Sequence, residues 1–329
     1  MNDRTSINRH PTGIGDCNPR RDSPPRHGSD DYPPDGRTRA LDPSIRPAII
    51  QAVRTVRNTT PLAQSFTNFV TINLVANAQL ASGGSAAMSF LPDDIIDLEP
   101  AAGASYINVG TLLPFYKDAL ATIARSFGEN GHRWVLDPVA AGIGRTRTEI
   151  LRSFESWPPT IVRANASEIM ALCRIWGITI TETGADPTVR RGTRPAGVES
   201  VDEVDAAVPY ACALAGHLAR HAPRGKAAVA VSGASDFVTD GRDGYRLPGG
   251  SAMMTKITGA GCSLGGVMAT YLAVSDPLVA ALAASALYNH ASQEAEKASR
   301  GPGSFHAAFL DALWNSSPEQ VAGTTILPA

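Results

Sequence analysis

Residues 258–266 read TGAGCSLGG and lead directly into an apolar run with the composition of a helix. Gly259 and Gly261 let the backbone turn tightly at a helix N-terminus, where unpaired amides and the positive end of the helix dipole attract phosphate. Such a turn is an anion hole, although glycine-rich turns before helices also arise for purely structural reasons. Cys262 falls in the first turn, where the dipole lowers a thiol pKa from its free value of about 8.5. There it serves as a base or polar contact, or it is a small buried hydrophobe.

Four further segments place polar groups where chain elements meet. In DPVAAG (137–142), Asp137 ends a predicted strand, and ligands of open α/β sheets bind beyond the carboxyl ends of strands. Its carboxylate is placed for magnesium or a water, or it belongs to an ordinary turn. Downstream, Arg145 and Arg147 of RTRTE both offer forked donors to a nucleotide phosphate, and chemistry alone does not choose between them. In RANASE (163–168), Asn165 and Glu168 have the spacing of a capping box, or face a magnesium-bound phosphate. In AVSGASD (230–236), Ser232 and Gly233 offer a polar floor for a nucleotide. Finally, Thr67, Asn68, Asn73 and Asn77 crowd a helical pattern that disfavours asparagine, which points to a binding or interface surface.

The elements that must position these groups alternate. Apolar runs at 86–89, 105–109, 133–136, 160–163 and 227–231 read as buried strands. Helical patterns fall between them at 114–127, 148–154, 166–173 and 201–221. The fold class expected is α/β, three layers α/β/α around a mainly parallel sheet. Order begins near Asp42 with a helix that aligns Ile45, Ile49, Val53 and Val56. A second helix spans 68–80 with Asn68 as its cap. Residues 236–250 form an edge hairpin, and helices at 260–274, 277–299 and 305–314 finish the chain. Residues 1–41 hold almost no large aliphatics and are expected to be a disordered tail, its acids arguing against a targeting role. Residues 178–200 read as a surface excursion that could serve as a lid, and 42–329 as one domain.

Composition narrows the class. Of 329 residues 43% are hydrophobic and 18% charged, and 29 basic against 31 acidic side chains give a net charge of −2. That balance disfavours nucleic acid as a partner. Apolar runs are too short for a membrane span. Cys17, Cys173, Cys212 and Cys262 lie far apart, with neither a disulfide framework nor a zinc pattern, which suits reduced thiols in the cytoplasm.

Taken in order from about Pro61 to Leu313, these segments resemble the hydroxyethylthiazole kinase family, thiamine-pathway members of the ribokinase-like superfamily. TNFVTINLVANAQLASGGSAAM is similar to the family's substrate-side motif, and INVGT, DPVAAG, NASE, TKITGAGCSLGG and GPGSF follow in the family's order. The resemblance implies transfer of the ATP γ-phosphoryl group to the hydroxyl of 4-methyl-5-(2-hydroxyethyl)thiazole, with Mg2+. It implies Met88, Gly259 and Asn68 at the thiazole, and Arg147, Ser232 and Asn165 at ATP. Glu168 and Asp137 would serve the metal. Cys262, with Gly259 and Gly261, would form the catalytic turn, standing where sugar kinases of the superfamily carry an aspartate. A homotrimer with its active sites between subunits is also implied, the Asn-rich helix near the interface.

Three departures accompany the match. Gln64 stands where the family usually has His, DPVAAG replaces DPVGAG, and 112–115 is more apolar than usual. A hydroxymethylpyrimidine-phosphate or pyridoxal kinase is the alternative within the superfamily, but its AGSD-like strand is missing. A dehydratase of hydrated nicotinamide nucleotides would carry GTGD in place of Cys262. A non-catalytic thiazole- or nucleotide-binding homologue stays open.

Overall fold

A computed structural model describes residues 40–180 and 201–329. The expected tail, apart from its last two residues, and nearly all of the expected 178–200 excursion lie outside the described residues. The strands are β1 (Leu62–Phe66), β2 (Ser85–Met88), β3 (Ala104–Asn108), β4 (Trp134–Asp137), β5 (Ile161–Asn165), β6 (Ala228–Ser232), β7 (Ser235–Thr239), β8 (Gly244–Pro248) and β9 (Leu327–Pro328). The helices are α1 (Ile45–Thr59), α2 (Ile72–Ala81), α3 (Pro92–Leu98), α4 (Tyr116–Asn130), α5 (Arg145–Ser153), α6 (Ala166–Ile175), α7 (Val201–His221), α8 (Ala260–Leu272), α9 (Pro277–Ala298), α10 (Pro302–Asn315) and α11 (Pro318–Ala322). No described helix is long and apolar enough to cross a membrane.

All nine strands form one sheet in the order β2-β1-β3-β4-β5-β6-β7-β8-β9. Neighbours from β2 to β6 run parallel, and β6 to β9 antiparallel. Side chains alternate across the sheet and sort the core into two halves. Tyr106, Val135, Ile161 and Ala228 join α1, α2 and α8–α11 on one face, whereas Ile107, Leu136, Val162 and Val229 meet α3–α7 on the other. This is the expected three-layer α/β/α arrangement. The hairpin expected at 236–250 is present as β7 and β8, with β9 added outside it.

Some boundaries differ for identifiable reasons. The strand read at 86–89 is β2, a half-buried edge rather than a core strand. Strand β1 is hidden in the sequence by polar Gln64 and Ser65, which are buried because distant groups satisfy them. Ser65 Oγ donates to Gln79 Oε1 at 3.2 Å. Gln64 Nε2 donates to the Ile95 carbonyl at 3.0 Å and to Ser105 Oγ at 2.9 Å.

Ser105 Oγ also lies 2.7 Å from His132 Nε2. Burial, helped by the neighbouring Arg133, lowers the His132 pKa to about 4. An unfolded imidazole titrates near 6.5, so between these values the unfolded chain binds the proton and the folded chain does not. Stability from this group is complete above about 6.5 and is lost as pH falls through about 4. Burial raises Asp137 and Glu168, which act with the opposite sign. The His132 contribution is therefore isolated by substitution: His132→Gln should lose less stability than the parent between pH 7 and 5 in urea denaturation. Equal losses in both proteins would refute the assignment.

Candidate active site

Parallel strands carry their carboxyl ends to one edge, and the polar residues there bond to one another in sequence across five neighbouring strand ends. Asn68 follows β1. Its Nδ2 donates to Asn108 Oδ1 at 2.9 Å and reaches Cys262 Sγ at 3.7 Å. Asn108, the last residue of β3, donates from Nδ2 to the Tyr106 hydroxyl at 2.9 Å and to Asp137 Oδ2 at 3.2 Å. Asp137, the last residue of β4, also accepts from the Tyr106 hydroxyl at 3.1 Å and from Arg163 Nη1 at 3.4 Å. Arg163 of β5 then holds Ser232 Oγ, at the end of β6, through Nε at 3.2 Å and Nη2 at 2.9 Å.

Helix α8 closes over this row. Gly259 caps it with φ +91°, a left-handed conformation that favours glycine, and its carbonyl accepts the Ser263 amide at 2.8 Å. Gly261 is different: it lies inside the helix and has no positive φ, contrary to a role in turning the chain. A Cβ there would stand 2.5 Å from Arg163 Nη1, so any larger residue would have to displace the guanidinium.

Electrostatics overturn the expectation of a lowered thiol pKa. Burial raises the Cys262 pKa and Asp137 raises it further, with Thr71, Arg163 and Asn108 only partly opposing them. The helix dipole acts locally, but burial near a carboxylate outweighs it. Cys262 is a neutral thiol at neutral pH. Burial alone would lower the Arg163 guanidinium, but Asp137 and Glu168 outweigh it and hold it charged. Burial raises the Asp137 pKa, and the nearby Arg163 charge and the three donors that converge on its Oδ2 oppose that rise.

Other expected residues sit around this centre. Asn165 and Glu168 form the capping box of α6: Asn165 Oδ1 accepts the Glu168 amide at 2.9 Å, and Glu168 Oε2 accepts the Asn165 amide at 3.0 Å. Glu168 Oε1 holds the Ala140 amide at 2.8 Å, tying α6 to DPVAAG. Arg147 grips the carbonyls of Val109, Ile143 and Gly110, the last at 2.7 Å. Arg145 is exposed and pairs with Glu149. Asn68 does not cap α2 directly. Its Oδ1 takes the amides of Val70 and Thr71 in a turn before a helix that starts at Ile72. Met88 stands apart at the end of β2, where it lines a cavity of about 390 Å³ with Gln64, Ile95 and Leu98.

Sequence reasoning did not single out Tyr106, Asn108 and Arg163. A polar residue closing a strand, as in ASYIN, is the signal that finds Asn108, whereas Arg163 is a charged residue inside the otherwise largely apolar strand IVRAN.

Comparison with known proteins gives the same assignment as the motifs. Residues 53–319 match the model of the hydroxyethylthiazole kinase family. Over 284 residues the chain is 68% identical to a hydroxyethylthiazole kinase of Bifidobacterium adolescentis, covering 86% of this chain and 95% of the relative. A solved hydroxyethylthiazole kinase protein from Pyrococcus horikoshii superposes with a TM-score of 0.72 at 28% identity, over 85% of this chain and 98% of that one. A ribokinase-like superfamily protein from Enterococcus faecalis shares the fold, with a TM-score of 0.50 at 11% identity over 84% and 90% of the two chains.

Proposed function

The chain belongs to the hydroxyethylthiazole kinase family, and on that premise we propose that it moves the γ-phosphoryl group of ATP onto the hydroxyl of 4-methyl-5-(2-hydroxyethyl)thiazole at the carboxyl ends of β1 to β6. The observation that carries this site is the unbroken row Asn68, Asn108, Asp137, Arg163, Ser232, lying beneath the N-terminus of α8. The transferring phosphoryl group has a loose transition state, so positioning and charge neutralisation matter more than a strong base. The first amides of α8 supply fixed donors for phosphoryl oxygens. Cys262, held by Asn68, orients the acceptor hydroxyl; as its oxygen bonds to the γ-phosphorus and the bond to ADP breaks, the hydroxyl proton passes to a phosphoryl oxygen or to water. Ser232 and the loop fixed by Arg147 serve the nucleotide, Asn165 orders the turn beside it, and Met88 bounds the thiazole.

Magnesium fits a sparse donor set. Asp137 Oδ1 is buried without a partner, while both oxygens of Glu168 already hold backbone amides. Magnesium is usually bound by one or two carboxylates with water and phosphate, so Asp137 and Glu168 would set the negative field that holds it. When bound, the ion would neutralise nucleotide phosphate charge.

We assign residues 42–329 to a single kinase domain and 1–41 to a tail outside it. Exposed Phe69, Val70, Leu91, Leu113, Phe115 and Ile143 follow the strand ends and support a subunit interface at that edge, which the family resemblance makes that of a homotrimer with active sites between subunits. A site built around a free thiol suits a reducing compartment, the cytoplasm.

The test is a phosphorylation assay of the purified full chain with magnesium, ATP and a panel of thiazole, pyrimidine and pyridoxal alcohols. The thiazole phosphate is expected as product. Product from pyridoxal and none from thiazole would overturn the substrate, and thiazole binding without product would favour a non-catalytic homologue.

A further inference from the structure

Arg163 touches three of the residues to which the motifs point. Its fork meets Ser232 and Asp137, and its guanidinium lies against Gly261, where a Cβ would come within 2.5 Å of Nη1, 2.8 Å of Nη2 and 3.0 Å of Cζ. The side chain is 12% exposed, so the plane of the fork is fixed directly under the first turn of α8. Charge placement explains the requirement. Buried Asp137 and half-buried Glu168 are carboxyl groups beside the place assigned to the ATP phosphates, and any negative charge on them would repel those phosphates. A lysine would supply charge but could not hold two partners and lie flat under a helix turn.

We propose that Arg163 is a positioning residue for phosphoryl transfer: it locks Ser232 and Asp137 in register and fixes a positive charge beneath the α8 amides, and Gly261 is glycine to admit it. The proposal rests on the assignment of the α8 turn as the seat of the transferred phosphoryl group. A preorganised charge acts most strongly where charge shifts during reaction, so turnover should suffer more than thiazole affinity.

Arg163→Met should lower kcat about a hundredfold or more and weaken a non-hydrolysable ATP analogue in calorimetry with magnesium, while KM for the thiazole alcohol stays within about threefold. Arg163→Lys should recover at least about tenfold of the lost kcat, because it restores charge without the fork. Gly261→Ala should also lower kcat, and by less in the Arg163→Lys background than in the parent, since lysine leaves room for the methyl group. That pair keeps the test open should Arg163→Met not fold. A folded Arg163→Met protein with kcat and nucleotide affinity near those of the parent overturns the proposal. So does an effect of Gly261→Ala that is the same in both backgrounds. If the parent phosphorylates a different alcohol of the panel with the same Arg163 dependence, the substrate assignment falls and this proposal stands.

Discussion

Gly259→Ala is expected to lower turnover about a hundredfold and to depress the melting temperature by roughly 5–10 °C. Two separate penalties meet at this position. At φ +91° an alanine is strained by about 1–2 kcal/mol, and its Cβ would stand 2.9 Å from both Cβ and Cγ2 of Thr71. Relief requires α8 or the 67–71 turn to move, at a further cost of about 1–3 kcal/mol. Either movement shifts the amides of α8 relative to Asn68, whose side chain binds both the Thr71 amide and the Cys262 thiol. A shift of about 1 Å is enough to account for the kinetic loss. Thr71→Ser in the same background removes Cγ2 and should restore part of the stability, but the φ penalty remains. Gly303→Ala is the control: nothing lies within 4 Å of its added Cβ, and both rate and melting temperature should be unchanged. Differential scanning fluorimetry and steady-state kinetics on the three variants decide the matter. A Gly259→Ala protein with the parent's kcat would remove the α8 turn from the mechanism.

What was legible in the sequence depended on how far each residue's partners lie along the chain. Helix α1 was legible because Ile45, Ile49, Val53 and Val56 encode their own face. The alternation of strands and helices gave the layer architecture in the same way, and glycine at 259 signalled the left-handed cap of α8. Gln64 hid β1 because its satisfaction comes from Ile95 and Ser105, more than 30 residues away and reached only after folding. Helix α3 was missed although Pro92 at its start and Asp93 and Asp94 in its first turn are local signals. The role of Gly261 was misassigned for the same long-range reason: its constraint is the guanidinium of Arg163, not its own backbone. The thiol pKa of Cys262 failed as a local inference because burial and Asp137 are tertiary facts. Motif order located the strand-end segments correctly but left out the residues that join them, Tyr106, Asn108 and Arg163.

Asp137→Asn should be the most damaging single substitution in the site, abolishing measurable transfer and costing about 3–5 kcal/mol of stability. Asp137 is fully buried, and Oδ2 accepts from Tyr106, Asn108 and Arg163 at once. An asparagine oxygen can take some of these donors, but its NH2 must occupy a place where no acceptor is present, since Oδ1 has no partner. Arg163 meanwhile keeps its charge with its nearest counter-ion gone, and an uncompensated buried charge is the larger part of the cost. Removal of both charges separates the two roles. Asp137→Asn with Arg163→Met should recover at least half of the lost stability in urea denaturation, because no unpaired ion remains, yet recover no kinase activity, because the charge beneath α8 is absent. If the double variant is no more stable than Asp137→Asn, the pair is not the source of the cost. If it regains turnover, Arg163 does not position the phosphoryl group.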